Sequence, residues 1–285
     1  MVGSVNTNIG AQIALNNLNV TGTELQAAQK QISTGLRAAD AFDNGAVFAI
    51  AQGLRSDISA ISAVNGQLGA AKGLLEVTVA AVTGFSNALS DLRQCVLQLA
   101  DANVTGNART QLNSQFETII ATMHDYVTGA NYNGANLISS GSSNRAVIQD
   151  ISANQYTIHS FDLETLISWP TFISLLAGPP PNIAPANQVN ALQWVQTPPD
   201  SIDYAEKQVG SALNGFAADA HYIDNQITFN NSISDATSQG LGSLVDADLA
   251  KQSAQLQSLQ IKQQLGTQAL SIANQAPQIL LGLFR

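Results

Sequence analysis

Imidazole titrates near neutral pH and is the commonest protein metal ligand, so the three histidines are the first place to look for chemistry. His124 stands beside Asp125, and His221 has Asp219 and Asp224 within three residues. The first two groups have the side-chain types of a zinc or general-base site. The three histidines fall in three separate segments, however, and none has the H-E-x-x-H spacing that sets two imidazoles on one helical face. His124 with Asp125, and His221 with Asp219 and Asp224, read as solvated helix-face residues. The single cysteine, Cys95, falls in phase with Leu92, Val96 and Leu99, the place of a small apolar residue on a buried helical face. One cysteine also excludes a disulfide within the chain. Gly240 and Gly242 follow no strand and read as punctuation between helices, not as a phosphate loop. Asn103-Val-Thr105 has the form of a glycosylation acceptor, and the turn is the reading taken here. No catalytic, cofactor-binding or metal-binding residue is expected, and the chain reads as a non-enzyme.

The composition suits long, thin helices. Apolar residues make up 45% of the 285, much of that alanine, yet charged residues are only 11% and aromatics 6%. A net charge of −9 removes the electrostatic footing for nucleic acid. Residues 1–18 lack the charged start and continuous apolar run of a cleavable signal, and no run reaches the ~18 apolar residues of a membrane span. By these features alone the chain reads as cytosolic.

Stepping by four and three, Ala11, Leu15, Leu18, Gly22, Leu25, Gln29, Ile32 and Leu36 trace a coiled-coil seam. Asn6-Thr-Asn8 offers N-caps for that helix and Gly35 a stop. At the other end Ser243 and Asp246 form a capping-box pattern. Two apolar tracks follow: Val245, Leu249, Leu256, Leu259 and Leu270, then Ile261, Leu265, Ile272 and Ile279. A helix with two tracks needs partners on more than one side. Both terminal helices are amide-rich and almost uncharged, which predicts that the chain ends meet as an antiparallel pair needing further copies around it.

Between them, helical periods run from about Ile50 to Ala102, from Ala108 to Thr128 and from Ile202 to Ala236. Gly66, Gly69, Gly73 and Gly84 lie inside the first, each costing up to about 1 kcal/mol against alanine. Arg145-Ala-Val-Ile148 and Gln155-Tyr-Thr-Ile-His159, separated by Asp150–Asn154, predict a small hairpin. Residues 166–199 hold both tryptophans and all but one of the eight prolines. Trp169, Phe172, Ile173, Leu175 and Leu176 there either form an adhesive patch or pack back onto the hairpin; the second is expected, because contiguous exposed apolar surface is unusual.

Three blocks carry a family resemblance. Ser4-Val-Asn-Thr-Asn-Ile-Gly-Ala-Gln-Ile-Ala-Leu-Asn-Asn-Leu18 resembles the opening of bacterial flagellins. Ile32-Ser-Thr-Gly-Leu-Arg37, Asp43-Asn-Gly-Ala46 and Ala49-Ile-Ala51 resemble the family's next segment. Val245-Asp-Ala-Asp-Leu249, Gln264-Leu-Gly-Thr267, Ala273-Asn-Gln275 and Phe284-Arg285 resemble its C-terminus. The resemblance covers roughly residues 1–135 and 201–285.

It implies a mainly α fold: an elongated antiparallel helical bundle or coiled coil of N- and C-terminal segments, with a small β-hairpin and a short Pro-rich outer segment. Residues 1–40 with 244–285 would form an inner-tube domain, 41–52 and 237–243 spokes, 53–165 with 200–236 a helical rod, and 166–199 a variable surface segment. The implied function is self-assembly into a helical flagellar filament for swimming, the terminal helices ordering on polymerisation. Leu15, Leu18, Leu25, Ile32, Leu249, Leu256, Leu259, Leu265, Ile272, Phe284 and Arg285 would carry that assembly. Implied partners are further copies, an export apparatus and chaperone, and cap and hook-junction proteins, with neither nucleic acid nor membrane insertion. Location would be extracellular, by export without a cleaved signal. Some members are sensed by an animal Toll-like receptor through a helix aligning with Leu89 to Gln98; Arg93 is kept, but Asp91 stands where the recognised form has arginine. The alternatives are a hook–filament junction protein, or a surface-displayed homologue binding a polymer or host through residues 165–200.

Overall fold

The computed structural model describes residues 7–167, Ala191 and 202–283, with residues 276–283 described by their backbone alone. The expected Trp169 patch and most of the Pro-rich segment lie outside the described residues. Six helices and one hairpin are described, in the order α1 (Ile9–Thr34), α2 (Ala41–Leu99), α3 (Gly106–Gly129), β1 (Arg145–Ile148), β2 (Gln155–Ile158), α4 (Glu164–Ile167), α5 (Ile202–Val245) and α6 (Leu249–Leu283). The chain divides into two compact units, Met1–Ile58 with Asp235–Arg285, and Ser59–Ser234.

In the first unit α1 begins at Asn8, whose side chain accepts a hydrogen bond from the Ala11 amide at 3.0 Å. It ends at Gly35, in the left-handed region at φ 70°. α6 runs antiparallel to it. Asn8 Nδ2 donates to Ala273 O at 2.6 Å, Leu18 packs at Gly266, and the Ala247 amide donates to Gly35 O at 2.9 Å. The Arg37 amide and guanidinium close the pair by donating to the carbonyls of Val245 and Leu244, each at 2.6 Å.

Two local expectations need correction here. The cap of α6 is Asp248, which accepts from the Lys251 amide at 3.0 Å; the Ser243 hydroxyl donates to Gly240 O instead. α5 is helical through Gly240 and Gly242, because the isolated cost of a helical glycine is small against the bonds on either side. Residues 41–52 are helical on both sides of a kink at Asn44 (φ −162°, ψ 98°), whose side chain accepts from the Val47 amide.

The second unit holds the main core. Leu68, Leu75, Val82, Phe85, Leu89 and Leu92 of α2 meet Phe116, Met123 and Val127 of α3, and Val209, Phe216 and Ile223 of α5. By length and mean hydropathy α2 is apolar enough to cross a membrane, although no continuous run of ~18 apolar residues occurs in it. In its most apolar stretch 39% of the residues are buried, on the face just named. The hairpin is antiparallel with Arg145 opposite Ile158 and Ile148 opposite Gln155. It seats on α5 through Tyr156, whose ring stacks on Tyr222 at 3.9 Å and whose hydroxyl donates to Asp219 at 2.7 Å.

Candidate self-association surface

The residue types that suggested chemistry do not assemble into a site. His124, His159 and His221 are exposed, and among the described residues no cluster of three or more His, Cys, Asp or Glu side chains is placed to hold a metal. Cys95 is buried and donates to Leu112 O at 3.3 Å; burial pushes its thiol pKa up, away from nucleophilic thiolate. Asn103 sits in a turn, its amide donating to Asp101 Oδ1 at 2.9 Å.

Asp219 departs from its expected role. It is 3% exposed rather than solvated, and accepts from the Tyr156 hydroxyl and, at 3.0 Å, from the His159 amide. Burial first, then the bond to this carboxylate, raises the Tyr156 pKa to about 12. Nothing in a one-chain pattern marks such a carboxylate, since its donors come from a strand 60 residues away.

The terminal helices present the more unusual surface. Along α1 the inward side carries Ala11, Ala14, Leu18, Gly22, Leu25, Ala28 and Ile32. Leu15 and Gln29, placed on the seam by the four-three count, point out: the inward residues share Ala11, Leu18, Leu25 and Ile32 with that count, but Ala14 and Ala28 take the intervening places. Exposed on α1 are Ile9, Ile13, Leu15 and Val20. On α6, Leu256, Leu259 and Leu270 turn inward with Gly266 and Ala273, whereas Leu249, Ile261, Leu265 and Ile272 are exposed. Of the predicted assembly residues, then, Leu18, Leu25, Ile32, Leu256 and Leu259 join the two helices within one chain. Leu15, Leu249, Leu265 and Ile272 face out, and Phe284 and Arg285 lie outside the described residues.

The packed side is thin. Among the described residues of the first unit, the buried apolar ones are Ala28, Ala38, Ala51, Val245 and Leu259. The exposed face is long, apolar and nearly chargeless. Such a face on a monomer marks an interaction site.

In the helix resembling a receptor-sensed segment, Leu89 is buried in the core and Asp91 is exposed. Arg93 is already bound to Asp203 at 2.8 Å and Glu206 at 2.7 Å.

Residues 5–143 match the bacterial flagellin N-terminal helical region, and residues 200–284 the bacterial flagellin C-terminal helical region. Flagellin FljK of Caulobacter vibrioides is 32% identical over 284 residues, spanning 100% of this chain and 99% of that protein. A flagellin of Brucella melitensis biotype 1 is 30% identical over 293 residues, spanning 100% of both chains. Among solved structures, a putative flagellar hook-associated protein from Vibrio parahaemolyticus aligns with a TM-score of 0.58 at 16% identity, over 72% of this chain and 100% of that one; this is a likeness of fold. The chain belongs to the bacterial flagellins, the family of structural subunits of the flagellar filament.

Proposed function

We propose that this flagellin polymerises through its terminal helices, which gain their stable order only as neighbouring copies cover them. The observation that carries the proposal is the imbalance in the first unit. Among its described residues the buried apolar side chains are three alanines, one valine and one leucine, while eight large aliphatic residues of α1 and α6 stand exposed. Ordering the backbone costs about 1–2 kcal/mol per residue. So little burial does not offset that cost over two long helices, and copies docking on Ile9, Ile13, Ile261, Leu265 and Ile272 would supply the remainder. Leu15, Leu249 and the end of the chain, Phe284 and Arg285, would take part in the same contacts. A contact between different surfaces of identical copies, where its rotation does not close a ring, extends as an open helix.

On this reading the subunit leaves the cell through the flagellar export apparatus, escorted by a chaperone, and joins a filament bounded by cap and hook-junction proteins. The weakly charged, amide-rich faces of α1 and α6 would line the transit channel without trapping passing chains. Swimming motility follows from the filament.

Deleting residues 275–285 is expected to leave a soluble monomer whose second unit melts as in the intact chain. Normal filaments from that truncation, seen by negative-stain electron microscopy after seeding, would remove the mechanism. A junction protein would share this architecture, and the fold likeness to a hook-associated protein keeps that second reading in view. Labelling along the filament distinguishes them: a flagellin decorates its length, a junction protein one short zone.

A further inference from the structure

Oxidants attack a protein at accessible, electron-rich side chains, and sulfur residues are the usual first targets. Among the described residues both of these, Cys95 and Met123, are only 2% exposed. Oxidation then falls to tyrosine, whose phenol can give up an electron and its proton. The chain has five tyrosines. Tyr126 and Tyr132 are exposed, but their rings lie against Gly84 and Gly73 of α2. Tyr156 and Tyr222 are placed differently.

Tyr156 of β2 and Tyr222 of α5 stack with ring centroids 3.9 Å apart and planes 16° from parallel. Aromatic pairs more often sit about 4.5–7 Å apart, so this contact is close and face to face. Each hydroxyl is anchored as well. Tyr156 donates to the buried Asp219 carboxylate at 2.7 Å, and Tyr222 donates to Gln149 Oε1 at 2.6 Å. The Gln226 and Asn230 side chains fix the same strand end to α5 by donating to Gln149 O at 3.2 and 3.1 Å. Asp219 thus stands within the ~2.6–3.2 Å reach of a proton acceptor. Tyr222 is 38% exposed, open to a diffusing oxidant, whereas Tyr156 is half-buried.

We propose that Tyr156 and Tyr222 form an oxidative coupling site, which a one-electron oxidant closes into an intrachain dityrosine that pins the hairpin to α5. Two one-electron equivalents are consumed. Tyr222 loses an electron to the first and its phenolic proton to solvent. Tyr156 loses an electron to the second and its proton by way of Asp219. The two phenoxyl radicals contribute one electron each to a carbon–carbon bond between ring positions ortho to the oxygens. Each joined carbon then releases its hydrogen as a proton and each carbonyl oxygen takes one up, restoring both rings and both hydroxyls. The balance is two phenols to one biphenol, two protons and two electrons. Face-to-face rings bring the half-filled orbitals together, and the twist of the finished biphenol is taken up by the exposed Tyr222 ring. Both residues belong to the second unit of one chain, so the coupling stands apart from polymerisation.

The test is dilute full-length monomer oxidised by photogenerated tris(bipyridyl)ruthenium(III), with persulfate as electron sink, under illumination that couples free tyrosine. Rings held in contact meet at an effective concentration of about millimolar or more, so at micromolar protein the 156–222 link is expected to exceed all links between chains by at least about 100-fold. Dityrosine fluorescence from chains still migrating as monomer reports it, and peptide mapping by mass spectrometry locates it. Tyr222→Phe keeps a ring on Tyr156 but no coupling phenol, and is expected to lose the link; a chain with Tyr126→Phe and Tyr132→Phe is expected to keep it. The linked chain should melt several degrees above the unlinked one, because a cross-link that closes a long loop restricts the unfolded chain. Wild-type dityrosine that maps to other pairs, arises only between chains, or does not form at all overturns the proposal. So does a Tyr222→Phe chain of unchanged circular dichroism that yields as much intrachain dityrosine as wild type. A linked chain that melts no higher contradicts the pinning.

Discussion

Asp219 is buried on α5 because a hydroxyl and an amide of the hairpin converge on it, and its charge is tolerable only while both donors stay. Asp219→Ala is expected to destabilise the second unit by about 2–4 kcal/mol, since hydrogen bonds to a charged group are worth ~1.5–3 kcal/mol and two donors are left unmet. Denaturant unfolding followed by circular dichroism measures it; a loss under about 1 kcal/mol would mean that the pair is incidental. Tyr156 gives the same cluster a pH signature. Its folded-state pKa, about 12, is raised above the ordinary tyrosine value of 10.0, so the folded state keeps the phenol protonated longer than the unfolded chain does. That contribution to stability is fully present below pH 10 and is lost as pH rises toward 12. Lys30 and Lys72, also raised by hydrogen bonds to carboxylates, lose stability in the same direction. The comparison that isolates the phenol is therefore wild type against Tyr156→Phe, whose stability is expected to fall less steeply over that range. Parallel curves would show that Tyr156 carries no linkage.

Within α2 the glycines fall into two kinds that composition cannot separate. A Cβ added at Gly66 or Gly69 meets nothing within 4 Å, whereas one at Gly84 would lie 2.6 Å from the Tyr126 ring and one at Gly73 would lie 3.0 Å from Tyr132. Gly69→Ala is thus expected to stabilise by roughly 0.5–1 kcal/mol through helix propensity. Gly84→Ala is expected to destabilise despite the same propensity gain, and Tyr126→Ala in the same chain should remove the clash; melting temperatures of the three variants decide it. The sequence made the helices legible because their boundaries depend on local chemistry. Asn8 caps, Gly35 stops, and the hairpin strands occupy the β-rich runs around Asp150–Asn154. What stayed illegible depends on partners. Which of the two α6 tracks faces α1 is decided by the small residues Gly266 and Ala273 opposite Leu18 and Asn8, not by hydrophobicity. Leu15 falls outside the inner seam because the small residues Ala14 and Ala28 take the places between Ala11, Leu18, Leu25 and Ile32, a choice between neighbouring positions that the seven-residue repeat alone does not make. Likewise Gly240 and Gly242 punctuate nothing, since helix continues on both sides of them.

For the molecule as a whole, stability is unevenly distributed between the two units. The second has a contiguous core from Val64 to Ile223, while the first buries five small or medium side chains among its described residues. Substituting the outward track therefore should leave the monomer untouched. Leu265→Glu or Ile272→Glu is expected to preserve the melting of the second unit yet abolish seeded elongation, read by light scattering and electron microscopy. The most direct test is amide hydrogen exchange on dilute monomer and on filaments of the same protein. If neighbouring copies supply the order, amides of residues 9–34 and 249–275 exchange within seconds in the monomer and become protected by several orders of magnitude in the filament. Those of Leu75–Leu99 should be protected in both. Terminal amides as protected in the dilute monomer as those of α2's core would contradict the account.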